Sequence, residues 1–144
     1  GYWNNPDATA NSLVDGWFYT GDTARMDKDG FFTIVGRSKD MIISGGENVY
    51  AAEVEAVFLE HTAVTGAALI GKPDEKWGER VVAVVVKRPG VNEEEIDSDT
   101  VKDCCKDKLA GYKRPKSIYF ITQEEMPRTG SGKVKHRVLR ERLQ

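Results

Sequence analysis

Two β-rich apolar runs, Ala67-Ala68-Leu69-Ile70 and Val81-Val82-Ala83-Val84-Val85-Val86, stand among segments with helical spacing. That alternation constrains the fold more than any other feature of the chain. From Ala51 to His61, Val54, Val57 and Phe58 recur at three- and four-residue spacing, which predicts a helix with one apolar face. A second helix is predicted over about 98–109, with Val101, Cys104, Cys105 and Leu109 along its stripe. Met41-Ile42-Ile43 and Lys116-Ser117-Ile118-Tyr119-Phe120-Ile121 add strands, with Ser44-Gly45-Gly46-Glu47-Asn48 read as a loop. A glycine-rich loop, Pro127 to Gly132, leads into a basic amphipathic helix from Lys133 or Val134 onward. Strands and helices thus alternate after residue 40, which assigns the α+β class.

Before residue 40 the pattern differs. Gly1-Tyr2-Trp3-Asn4-Asn5-Pro6 is turn-rich and aromatic and does not read as the natural start of a domain. Asp15 to Asp22 predicts a short strand closed by a turn. Asp27-Lys28-Asp29-Gly30 followed by Phe31-Phe32-Thr33-Ile34-Val35 predicts a hairpin. Gly36-Arg37-Ser38-Lys39-Asp40 is a polar break, where a domain boundary is expected.

Composition excludes several classes. With 144 residues, 40% hydrophobic and 31% charged, the chain suits one compact domain with a piece of another. Its longest uncharged apolar run falls far short of the roughly 20 residues that a membrane-spanning helix needs, and no basic-then-apolar leader is visible. The net charge of −2 argues against bulk attraction to nucleic acid or anionic membrane. Residues 1–101 carry a net −9, however, and residues 102–144 a net +7, so a local anion site or a solvated basic face is expected near the C-terminal end. The adjacent Cys104 and Cys105 make no disulfide framework and are expected to pack rather than react. A reducing, cytoplasmic location is the expectation.

Three motif readings fail on spacing. Placing Gly30 sixth in a calcium loop puts Arg25 first and Gly36 twelfth, where carboxylates are required. Gly130-Ser131-Gly132-Lys133 lacks the earlier glycine and the following Ser/Thr of a nucleotide phosphate loop, having Pro127 and Val134 instead. His61 and His136 have no second His or Cys at metal-ligand spacing, so no metal site is expected and both are read as surface or satisfied structural histidines. Read alone, the Lys133 loop is better described as a flexible turn with an incidental lysine, although a mobile loop can carry one cation to charge developing on a phosphoryl or carboxyl oxygen.

The combination is more specific than its parts. Tyr19-Thr20-Gly21-Asp22, Gly36-Arg37-Ser38-Lys39-Asp40, Ile43-Ser44-Gly45-Gly46-Glu47-Asn48-Val49-Tyr50 with Glu53-Val54-Glu55, and Pro127-Arg128-Thr129-Gly130-Ser131-Gly132-Lys133-Val134 occur in that order. This resembles the C-terminal end of the adenylate-forming enzymes, the superfamily of acyl-CoA synthetases, nonribosomal adenylation domains and luciferases, over essentially the whole chain. The Gly45 to Tyr50 wording resembles the CoA-ligase branch. Ala51 departs from the proline many relatives carry there, which threatens no chemical role.

The resemblance implies a small C-terminal domain with a short mixed sheet packed by helices, preceded by a β-hairpin remnant of a large N-terminal domain. Residues 1–36 would be the last strands of that large domain, 37–39 a hinge and 40–144 the mobile small domain. Asp22 matches the aspartate that binds the ATP ribose, Arg37 an arginine near the same nucleotide, and Lys39 the hinge position. Lys133 matches the lysine that bridges the carboxylate and the α-phosphate during adenylation. Gly45, Gly46 and Glu47 would line a tunnel for the pantetheine thiol. Trp77, Tyr112, Arg114 and Lys116 lie where some CoA ligases contact the CoA nucleotide; the alternative is that Trp77 caps the core and the cations are solvated.

The implied reaction is that of an acyl-CoA synthetase for a fatty acid or related carboxylate. ATP, Mg²⁺ and CoA would serve the intact enzyme, with none expected bound to a fragment. No acyl pocket or phosphate-binding loop precedes residue 1, so the chain is expected to be a fragment that needs the missing N-terminal adenylation domain and is inactive alone. Two other readings stay open: an amino-acid adenylation domain serving a carrier-protein thiol, and a non-catalytic CoA-binding module.

Overall fold

The computed structural model describes residues 1–91 and 96–143. The chain divides into two compact units, Gly1–Lys39 and Asp40–Gln144.

The first unit is a set of short elements without a core. Helix α1, Pro6–Ser12, was not foreseen in the turn-rich opening, because no apolar stripe marks it. It starts instead on local chemistry: Asn5 Oδ1 accepts the Ala8 amide at 3.0 Å, and proline occupies the first turn. Strands β1, Leu13–Val14, and β2, Trp17–Phe18, form a tight hairpin whose turn residues Asp15 and Gly16 have φ of +51° and +82°. Strands β3, Asp22–Met26, and β4, Phe32–Arg37, form the predicted second hairpin. Its turn is closed by Asp27 Oδ1, which accepts the Asp29 and Phe31 amides at 2.9 Å each. None of residues 1–39 is buried.

The second unit is a mixed sheet covered on both faces. Strands β5, Ile42–Ser44, and β6, Glu47–Val49, make a hairpin across Gly45-Gly46, where a loop was expected. Helix α2 spans Ala51–Leu59, strand β7 Val64–Asp74, strand β8 Gly78–Lys87 and helix α3 Ser98–Asp103. Strand β9, Ser117–Ile121, and helix α4, His136–Arg142, complete the unit. The order β6-β5-β8-β7 is antiparallel, and β9 runs parallel to β8 from the Val82–Ser117 pair to the Val86–Ile121 pair.

Alternate residues of the sheet serve two cores. Leu69, Val81, Ala83 and Val85 pack with Val54 and Phe58 of α2 and with Val101, Cys105 and Leu109. Ala68, Ile70, Val82, Val84 and Val86 pack with Met126 and Leu139. A strand buried on both faces reads as an unbroken apolar run, which accounts for the composition of Val81 to Val86.

Helix α3 is shorter than the predicted 98–109. Beyond Asp103 the chain continues as turns that still bury Cys105 and Leu109. Arg114 takes up two carbonyls of these turns: Nε donates to Leu109 O at 2.9 Å, and Nη2 donates to Lys106 O. Burial, with Cys104 alongside, pushes the Cys105 thiol up to about 11, in line with a packing role.

Candidate functional site

The segment from Met126 to His136 is braced rather than loose. Lys135 N donates to Pro127 O at 2.8 Å, Arg128 and Val134 form an antiparallel bridge, and Thr129 N donates to Lys133 O at 2.8 Å. Inside this small hairpin, Gly132 at φ +84° turns the chain, and Lys133 N donates to Thr129 Oγ1 at 3.1 Å. Arg128 Nη1 donates to Gly132 O at 2.9 Å. Glycine content suggests a mobile loop, and these hydrogen bonds give it a defined shape. The Lys133 side chain is exposed, and its ammonium has no hydrogen bond or ion pair among the described residues. The backbone of this lysine is fixed while its charge is available to a ligand.

The Gly45-Gly46 turn is the second place where predicted residues meet. Both glycines have positive φ, +62° and +85°, as a two-residue hairpin turn requires. At Gly45 a side chain is also excluded, since a Cβ would stand 2.8 Å from Trp77 Cε3. Gly45 N donates to Trp77 O at 2.8 Å. Asp74 Oδ1 holds Trp77 in place by accepting the Lys76 and Trp77 amides at 3.0 Å each. Glu47 opens β6 and is exposed, and β6 packs on the 3-10 turn Gly111–Lys113 that carries Tyr112. Trp77 and Tyr112 are partly exposed, at 43% and 40%. Gly45, Gly46, Glu47, Trp77 and Tyr112 therefore lie on contiguous structure.

Arg114 and Lys116 differ from each other. The Arg114 guanidinium is occupied with the Leu109 and Lys106 carbonyls, so it serves the fold directly. Lys116 is exposed, and only its backbone amide is engaged, to Val81 O at 2.9 Å.

In the first unit, Asp22 and Arg37 face each other across the β3–β4 pair, with Nε donating to Oδ1 at 2.8 Å. Both side chains remain substantially solvent-accessible, so the pair contributes little to stability. Lys39 is exposed in the 3-10 turn Ser38–Asp40, and the break between the two units follows it.

Two acidic side chains carry more than sequence reasoning assigned to them. Glu55 Oε1 accepts the Leu69 amide at 2.8 Å and His136 Nε2 lies 2.9 Å from the same oxygen. Both oxygens of Glu53 accept from Lys113 Nζ at 2.7 Å. Glu53 and Glu55 stand in one of the quoted motifs, but their partners lie 60 and 81 residues away, beyond any local signal. His136 is thus a satisfied structural histidine, as is His61, whose Nδ1 accepts the Ala63 amide at 3.2 Å.

Residues 53–133, more than half of the chain, match the AMP-binding enzyme C-terminal domain. The chain is 51% identical over 134 residues to a feruloyl-CoA synthase of Amycolatopsis sp, an alignment covering 93% of this chain and 26% of that protein. It is 46% identical over 140 residues to the long-chain-fatty-acid–CoA ligase FadD13 of Mycobacterium tuberculosis, covering 97% of this chain and 27% of that one. Among solved structures, the o-succinylbenzoate CoA synthetase of Bacillus subtilis, in complex with its acyl-adenylate intermediate, aligns with a TM-score of 0.83 at 38% identity. That alignment covers 100% of this chain and 28% of the other. The chain thus spans little more than a quarter of the length of these relatives. With its mixed sheet, its braced lysine loop and its match over residues 53–133, the chain belongs to the AMP-binding enzyme C-terminal domain family.

Proposed function

We propose that the chain is the C-terminal part of an ATP-dependent acyl-CoA synthetase. The observation that carries this reading is likeness to proteins named as CoA ligases along nearly the whole chain, at 46–51% identity. Their names span feruloyl and long-chain fatty acyl groups at similar identity. This supports a small domain that runs the common chemistry, with acyl choice made elsewhere in the longer enzyme. The substrate is then a carboxylic acid of the fatty-acid or related class.

In the first half-reaction a carboxylate oxygen attacks the α-phosphorus of ATP, and pyrophosphate leaves. Lys133 places its ammonium against the carboxylate and the α-phosphoryl oxygens, where negative charge concentrates. One preorganised donor of this kind is worth on the order of 10²–10³ in rate. Asp22 accepts hydrogen bonds from the ribose hydroxyls, and Arg37, released from Asp22, lies beside the same nucleotide. In the second half-reaction the CoA sulfur attacks the acyl carbon, its proton goes to solvent and AMP leaves. The Gly45-Gly46 turn, without side chains, lets the pantetheine arm run along backbone toward Glu47. Trp77 and Tyr112 offer aromatic faces, and Lys116 a cation, to the CoA nucleotide. Residues 37–39, with Lys39 at the hinge position, form the hinge that exchanges the two faces, a common way to build two sites from one small domain. Among the described residues no group of three or more His, Cys, Asp or Glu side chains is placed to hold a metal ion.

The test is AMP release from ATP with a panel of carboxylates, with and without CoA, for the 144 residues and for the longer protein that contains them. Activity confined to the longer protein and raised by CoA is the expected result. Activity of the longer protein that needs a carrier-protein thiol instead of CoA would replace this reading with amino-acid adenylation. Activity of the 144 residues alone would overturn the domain assignment.

A further inference from the structure

Helix α2 holds two functional segments by two different side chains. Positions 53 and 55 are about 200° apart around a helix axis, so their side chains leave it in nearly opposite directions, on either side of the buried Val54. One of them grips the root of the Lys133 loop. His136 opens α4 three residues after Lys133, and its Nε2 lies 2.9 Å from Glu55 Oε1, with both side chains more than four-fifths buried. The same oxygen accepts the Leu69 amide of β7 at 2.8 Å, so α2, β7 and α4 share one carboxylate. The other grips the Tyr112 turn. Lys113 Nζ donates to both Glu53 oxygens at 2.7 Å, its side chain is only 18% exposed, and it also lies 5.8 Å from the Tyr112 ring centroid.

We propose that α2 is a common brace for the two half-reactions, in which Glu55, acting through His136, positions the Lys133 loop for adenylation, and Glu53, acting through Lys113, positions the Tyr112 turn for CoA. None of the four touches a reacting atom; they are positioning residues, and the proposal rests on the roles given above to Lys133 and Tyr112. Its consequence is separability. Loosening one arm degrades one half-reaction and leaves the other.

The first readout is amide hydrogen exchange in the 144-residue chain. His136→Ala leaves the Glu55–Leu69 bond in place and raises exchange at Thr129, Gly132 and Lys135 roughly tenfold, as loss of a hydrogen bond to a charged group predicts, while Lys113 and Arg114 amides are unchanged. Lys113→Met does the converse. The second readout is the pair of half-reactions in the longer protein. His136→Ala lowers acyl-adenylate formation on the order of ten- to a hundredfold, the scale of a small misplacement of a reacting group, and spares thiolysis of supplied acyl-adenylate. Lys113→Met raises the KM for CoA and spares adenylation. His136→Arg and Lys113→Arg, which return a donor to each carboxylate, restore both patterns. Unchanged exchange in both variants, or loss of both half-reactions in equal measure, overturns the proposal. A wild-type longer protein that forms no acyl-adenylate overturns its functional half together with the reading it rests on, whereas the exchange data judge the bracing independently.

Discussion

Seven of the chain's 13 aromatic residues lie in Gly1–Lys39 and six in Asp40–Gln144, yet the aromatic-rich unit buries nothing. Trp3 is 96% exposed and Trp17 is 74% exposed, while Phe58 of α2 is 0% exposed. Apolar content therefore does not decide where a core forms. What decides it is whether elements can close over one another. The first unit has two separate two-stranded sheets and a helix with no buried residue, and such hairpins are marginal alone. The second has a mixed sheet with an apolar layer on each face. Exposed aromatic side chains in this number suit a surface that another structure covers, and we propose on that ground that residues 1–36 are the last strands of a larger domain.

The largest expected effect separates the units outright. Residues 40–144 produced alone should unfold cooperatively and give dispersed amide resonances, whereas a peptide of residues 1–39 should show neither. A cooperative transition in the peptide would break the comparison. Next in size are paired core substitutions. Phe58→Ala should lower the stability of the second unit by about 3–5 kcal/mol in a denaturant titration. Phe31→Ala, at a side chain 73% exposed, should leave the same transition unmoved.

A smaller effect grades burial within the second unit. Cys105 is fully buried with its thiol raised to about 11, and Cys104 beside it is half-buried. Alkylation of the folded protein near pH 8 should label Cys104 first and Cys105 only as the unit opens. A thiol pKa raised by folding gives stability that is fully present below the ordinary value of 9.0 and is lost as pH rises through about 11. Thermal melts between pH 8 and 11 should follow that direction for the wild type and flatten in Cys105→Ala. Equal labelling of both thiols would show that the second core is not closed at α3.

The two units also differ in how far they could be read from sequence. Val81 to Val86 and the Val54, Val57, Phe58 stripe were legible because burial imposes a period on the residues themselves. Helix α1 was not, since it is set by the Asn5 cap and Pro6 rather than by an apolar face. Gly45-Gly46 reads as a loop because glycine pairs suit any turn; only the pairing of Ile42 with Val49 makes it a hairpin. The 98–109 helix was over-extended because Cys105 and Leu109 keep helical burial after α3 ends, on carbonyls that Arg114 caps from outside the segment. In the candidate site, Lys133 and the Gly45 turn stood out through motif order. Their supports did not, because the bonds from Glu53 to Lys113 and from Glu55 to His136 join distant residues.

The central claim is that Lys133 serves adenylation alone, on a domain whose other working face serves the thiol. The most direct measurement is the pair of half-reactions for Lys133→Ala in the longer protein: ATP-dependent acyl-adenylate formation, and CoA thiolysis of supplied acyl-adenylate. The account predicts a loss of at least 10²-fold in the first with the second close to wild type. Equal loss in both, or full adenylation without the lysine, would contradict it.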